Sequence, residues 1–161
     1  MIRYLKIILV VFVGLQGLIY FIANAVNFEY ALAAVGAVLS QQDSPAYQNL
    51  IAPPIVNPLL VKLALVTIMT GELFVGVLSF IGAFNMLGAA GKPAHDFEAA
   101  KKFAILGCGM ALIVWFGGFT VIGAALFQMW QGQVGVSSFE GAHMYLMPSG
   151  IVMLFVAMKD D

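Results

Sequence analysis

The sequence predicts an all-α fold: a four-transmembrane-helix bundle with a short outer-face interfacial helix or loop between helices 1 and 2. Three observations carry that prediction. About 62% of the 161 residues are apolar. Only 7 Lys plus Arg and 8 Asp plus Glu are present, too few to solvate a water-soluble globule, in which ~25% of residues are charged. The uncharged residues also gather into four runs near the ~20 residues that cross a hydrocarbon core of ~30 Å as a helix. The same composition excludes disorder and, with Cys108 as the single cysteine, a disulfide scaffold. A net charge of −1 without a basic cluster excludes a nucleic-acid binder.

The first span is expected over residues 6–28, since Ile7 to Phe28 is uncharged. Two preceding cations and Ala23-Asn24-Ala25 give this region the look of a secretory signal. Its apolar part, Ile7 to Ala23, exceeds the usual ~7–15 residues of a signal core, so it is read as a retained span. The outer connection, residues 29–57, opens with an Ala- and Val-rich stretch, Tyr30 to Leu39, suited to a helix lying in the interface. Asp43-Ser44-Pro45 should end that helix. Asn57-Pro58 offers a side-chain cap followed by a residue whose missing N–H costs nothing at the first helical position, which starts the second span, residues 58–85. Gly88, Gly91 and Pro93 break the chain within a loop over 86–97. Asp96 could cap a third span over 98–130, and Ser137 with Glu140 has capping-box spacing ahead of a fourth over 138–158. Pro148 should kink that last helix.

Orientation follows from the cations. Arg3, Lys6, Lys92, Lys101, Lys102 and Lys159 fall on one side of this arrangement and only Lys62 on the other, so both termini and the middle loop are expected in the cytoplasm.

Glu72 is the first candidate for chemistry, because a charged side chain inside a span costs ~2.5–3.5 kcal/mol even on insertion scales. It reads either as a proton or cation site or as a structural group bonded to a neighbouring helix, for instance through Gln16. Asn24, Gln128 and His143 lie nearer the outer end, with Asn27, Trp130 and Glu140, and could form the mouth of a polar cavity leading to Glu72. They also suit ordinary interfacial positions. His143 and Gln128 facing each other inside the bundle is the sharper expectation. No cofactor and no metal site is expected: His95 and His143 fall on opposite sides of the membrane and cannot share one haem iron, and the Glu140-to-His143 pair has no second copy on another helix. Gly71, Gly107, Gly117, Gly118 and Gly123 are read as positions where helix backbones approach closely.

The chain resembles the bacterial small predicted integral membrane proteins of about this length that are known only as a domain of unknown function. Gly71-Glu72, Phe97 through Lys101, Trp115-Phe116-Gly117-Gly118-Phe119 with Val121-Ile122-Gly123, and Phe127-Gln128-Met129-Trp130-Gln131 carry the likeness along essentially the whole sequence. Members follow the Met-Trp-Gln stretch with Trp-Asn-Gly-Gln, which Gly132 to Ser138 replaces here. The resemblance implies four spans and a bacterial inner membrane, and no activity.

Three functions fit these features. The first is a non-enzymatic membrane subunit or scaffold, whose partners are the lipid bilayer and other membrane-protein subunits or further copies of the chain. The second is a small proton- or ion-coupled transporter using Glu72. The third is a quinone-binding or intramembrane redox protein resting on Glu72, Trp115 and His143.

Overall fold

The computed structural model of the chain describes residues 1–42, 47 and 49–160. Its described residues are helical throughout their regular parts: α1 (Ile2–Val26), α2 (Phe28–Ser40), α3 (Pro58–Ala89), α4 (Ala94–Ala100), α5 (Lys102–Leu112) and α6 (Gln133–Ala157). Between α5 and α6 lie a π-helical segment, Ile113–Leu126, and a 3-10 turn, Met129–Gln131. Four helical stretches are long and apolar enough to cross a membrane: Ile2–Val26, Pro58–Ala89, Ala94–Leu126 and Gln133–Ala157. The short helix expected after the first span is α2.

The helix ends show which local signals act. Asn57 caps α3 as its sequence suggests, its side chain accepting from the Leu59 N–H at 2.9 Å, with Pro58 at the first helical position. α3 then runs on to Ala89 rather than ending near residue 85. Its 32 residues measure roughly 48 Å, more than the bilayer core requires. Asp96 does not cap the third span, because the helix begins earlier, after the extended Pro93, whose carbonyl accepts from the Asp96 N–H at 3.1 Å. Nor do Ser137 and Glu140 form a capping box. α6 starts at Gln133, one turn sooner, and Ser137 Oγ bonds back to the Gln133 carbonyl at 3.2 Å. Pro148 stands inside α6 without ending it. Asp43-Ser44-Pro45, expected to end α2, lies outside the described residues. α2 ends at Ser40, where Gln41 takes the left-handed conformation (φ 52°), and the Gln41 side-chain Nε2 donates to the Ala52 carbonyl at 3.0 Å.

α3 is the central helix, with α1 packed on one side and α5 on the other. The core joins Val10 and Val13 of α1, Val75 and Met86 of α3, Cys108 and Ala111 of α5, Trp115, and Val152 and Val156 of α6. Close approach is set by glycines. A Cβ on Gly17 would stand 2.7 Å from the Glu72 carbonyl, one on Gly82 would stand 2.5 Å from Ala104 Cα, and one on Gly107 would stand 2.7 Å from the Ser79 amide. Gly71 abuts Val114, and Gly123 abuts the sulfur of Met129. Gly117 and Gly118 differ from expectation: a side chain at either meets open space, so neither marks a helix crossing. Gly82→Ala is therefore expected to destabilise the bundle by about 1–3 kcal/mol, since backbone must move. Gly109→Ala, which meets nothing within 4 Å, should be neutral or stabilising. Thermal unfolding of the two variants in one detergent checks the pair.

Candidate functional site

Two polar centres stand apart in the bundle, one near the middle of α3 and one at the end that carries both termini. The first is Glu72, only 2% exposed, and its partner is Asn24, not Gln16. Asn24 Nδ2 donates to both carboxyl oxygens, at 3.1 and 2.9 Å. The choice of partner follows from helix geometry. Side chains lean toward the N-terminus of their own helix. α1 and α3 are antiparallel, with Gly14 beside Ser79 and Gly17 beside Glu72, so Glu72 leans toward the α1–α2 corner and Asn24 leans down to meet it. Gln16 leans in the same direction as Asn24 but starts level with Glu72, so it points away from that carboxyl, and its Nε2 is buried without a hydrogen-bond partner among the described residues.

Beside this pair, Tyr20 of α1 and Tyr145 of α6 are hydrogen-bonded through their hydroxyls. Trp115, 2% exposed, presents its ring edge-on to both, at centroid distances of 6.2 and 5.7 Å. Trp115 sits near the start of the π-helical segment. At the far end of that segment the Phe127 N–H donates to the Ile122 carbonyl, five residues back, at 3.0 Å. Such wide turns are rare and usually a single turn long; here they span 14 residues.

The remaining candidates do not join Glu72. His143 is on the exposed surface of α6 with its ring against Phe139, 4.7 Å between centroids, so it cannot face Gln128 within the bundle. Gln128 is buried in a left-handed turn (φ 56°), and its Oε1 accepts from Gln131 Nε2 at 2.6 Å. Its place is the corner that ends the third span. Its burial could not be read from the sequence, because the residue type suits a headgroup position equally well.

The second centre lies at the end that carries both termini, and nothing in the hydropathy pattern announces it. Lys6 and Lys101, each 1% exposed, converge on one carboxylate oxygen of Asp160, at 2.7 and 2.5 Å. Both ammoniums also donate to the Met158 carbonyl, at 2.7 and 2.8 Å. Glu98 completes the cluster, accepting from Lys101 at 2.6 Å and from the Asp160 amide at 2.8 Å. Burial acts to raise the Asp160 carboxyl, but the hydrogen bonds and charges of Lys101 and Lys6 outweigh it and hold the group below the ordinary carboxylate value. Arg3 closes the same end, donating to the Ala90 and Lys92 carbonyls at 3.1 and 2.7 Å.

Between the centres the interior is mainly apolar, filled by Val10, Val13, Val75, Ala83, Met86, Cys108 and Ala111, with the buried Ser79 and Ser149 hydroxyls and the Gln16 amide among its polar interruptions. Around the α1–α2 corner there are hollows. One of about 310 Å³ lies between α2, α3 and the π-helical segment, and one of about 550 Å³ is lined in part by Tyr20, Asn24, Asn27 and Tyr30. No group of three or more His, Cys, Asp or Glu side chains suited to a metal occurs among the described residues.

The model of a family described as predicted small integral membrane protein (DUF2165) matches residues 2–159. No curated protein and no solved structure matches the chain.

Proposed function

Because the chain belongs to that family of small integral membrane proteins, we propose that it is a non-enzymatic membrane subunit or scaffold of the bacterial inner membrane, with both termini in the cytoplasm. The observation that carries this reading is the internal pairing of its two polar centres across a mainly apolar interior. Glu72 is held by Asn24, and Lys6 and Lys101 by Asp160. The section between them is mostly apolar, broken by uncharged Gln16, Ser79 and Ser149, which favours a packing element over a conduit. The cation distribution supports the orientation, since Arg3, Lys6 and Lys101 cluster where the two termini meet and Lys62 is exposed near the opposite end.

A carrier reading draws on one feature, the Asn24 side chain, which lines the 550 Å³ hollow while bonding Glu72. Reconstituted into vesicles, the protein is expected to conduct protons no faster than empty vesicles, and Glu72→Gln to leave expression and assembly intact. A proton flux abolished by Glu72→Gln would establish the carrier instead. Gentle solubilisation tests the subunit directly: the chain should be recovered within a larger membrane complex, and migration as a bare monomer at every detergent strength would refute it.

A further inference from the structure

The hollows at the α1–α2 corner form one amphipathic site. The 310 Å³ and 550 Å³ spaces share Ala34, Val35, Ile68, Phe119 and Ser138 as walls, so they adjoin. They differ in chemistry. The smaller is walled mainly by hydrocarbon, including Leu39, Ile122, Phe127 and Met129. The larger is lined in part by Tyr20, Asn24, Asn27, Tyr30 and Ser138. Of these, Tyr20 is bonded to Tyr145, Asn24 to Glu72, Asn27 to the Ala23 carbonyl and Ser138 to the Val134 carbonyl, which leaves the Asn24 Oδ1 and one Asn27 N–H uncommitted by these bonds. The sequence leaves this space open. α2 turns small residues, Ala31, Ala34 and Val35, toward it and buries no residue of its own, while Gly118 and Gly123 line the opposite wall where the π-helical turns widen.

We infer that this site binds one amphiphile from the bilayer, with a hydrocarbon tail between α2 and the π-helical segment and an uncharged carbonyl- or hydroxyl-bearing head among Asn24, Asn27 and Tyr30. The head is uncharged because no Lys, Arg, Asp or Glu is among the described residues lining either space; Glu72 stands behind Asn24, already paired. An anionic head would be desolvated there without a counter-charge. The tail belongs where side chains are apolar and the space exceeds what packing normally leaves.

The test uses the full chain in phosphatidylcholine nanodiscs and a monoacylglycerol carrying a diazirine in its acyl tail. Photolabelling should saturate at one equivalent and fall on Ile68, Phe119, Ile122 or Met129. Labelling confined to outward residues such as Phe116 and Val121 would overturn the site. The paired variants Gly118→Leu and Gly117→Leu sharpen it, because both added side chains meet open space but only Gly118 lines the hollow. Gly118→Leu should weaken labelling at least tenfold and Gly117→Leu less than twofold; equal labelling would refute the assignment. Should Gly118→Leu fail to fold, competition on the unaltered protein decides. Displacement by unlabelled diacylglycerol or by decylubiquinone supports an uncharged head and tells a glyceride source from a quinone source. Displacement by neither, or by phosphatidylglycerol alone, overturns it.

Discussion

Asp160→Ala is expected to lower the stability of the folded chain by about 3–5 kcal/mol, the range seen when one partner of a buried ion pair is removed. The size follows from what stays behind. Lys6 and Lys101 are each 1% exposed and share the same carboxylate oxygen. Without it two ammoniums face each other, with Glu98 and the Met158 carbonyl as hydrogen-bond partners and the Phe155 and Phe97 rings beneath them. Against a total stability of ~5–15 kcal/mol such a loss is large, and it should appear as a drop of roughly 10 °C in the unfolding midpoint. Combining Asp160→Ala with Lys6→Met should cost less than the two single changes added, because they belong to one network. Additive losses would show that the cluster does not hold the C-terminal segment to α1. The pH dependence has a definite sign. A carboxyl held below its ordinary value contributes its full stabilisation at neutral pH and down to about 4. It loses that contribution as pH falls further, through its lowered value. Unfolding midpoints measured from pH 7 to 3 should therefore fall more steeply for the native sequence than for Asp160→Asn.

Asn24→Leu should cost about 2–3 kcal/mol, since it leaves the Glu72 carboxyl desolvated and unpartnered. Glu72→Gln should stay within about 1 kcal/mol of the native stability, because an amide oxygen can still accept from Asn24 Nδ2. The double change Asn24→Leu with Glu72→Leu removes both polar groups together and should recover most of what Asn24→Leu loses. Melting curves of the four proteins form a double-mutant cycle. A coupling energy near zero would mean that Glu72 is held by something other than Asn24.

Much of the fold is legible in the sequence because the bilayer allows few solutions. Each apolar run must satisfy its own backbone hydrogen bonds, so Ile7 to Phe28 or Phe103 onward has little choice but to be helical. The Asn57-Pro58 start is legible for a local reason, the side-chain acceptor and absent N–H lying side by side. Ser137 and Glu140 have an equally good local pattern, yet they lie inside α6, since a membrane helix can begin a turn earlier wherever its first N–H groups still meet a polar layer. Gly117 and Gly118 show the limit of small-residue patterns: glycine permits close approach but does not supply the neighbour.

The site was half legible for the same reasons. Glu72 stands out in any hydropathy profile, and Asn24 was visible among the outer polar residues. Their pairing depends on the register between antiparallel helices and on the opposed lean of their side chains, which a linear sequence does not encode locally. The exposure of His143 depends on how α6 is rotated. With hydrophobicity spread almost evenly around that helix, the sequence leaves the rotation open. The Lys6–Asp160–Lys101 cluster joins residues 154 and 59 positions apart in the chain, and its lysines read at first as ordinary topology signals.

The membrane-subunit reading is tested most directly by the protein mass of the particle that contains this chain when it is lifted from its own membrane in polymer-bounded nanodiscs. That mass, from light scattering with the lipid contribution separated, should exceed the 17.2 kDa of one chain by at least one further protein copy or partner. Particles holding a single 17.2 kDa chain and no other protein would contradict it.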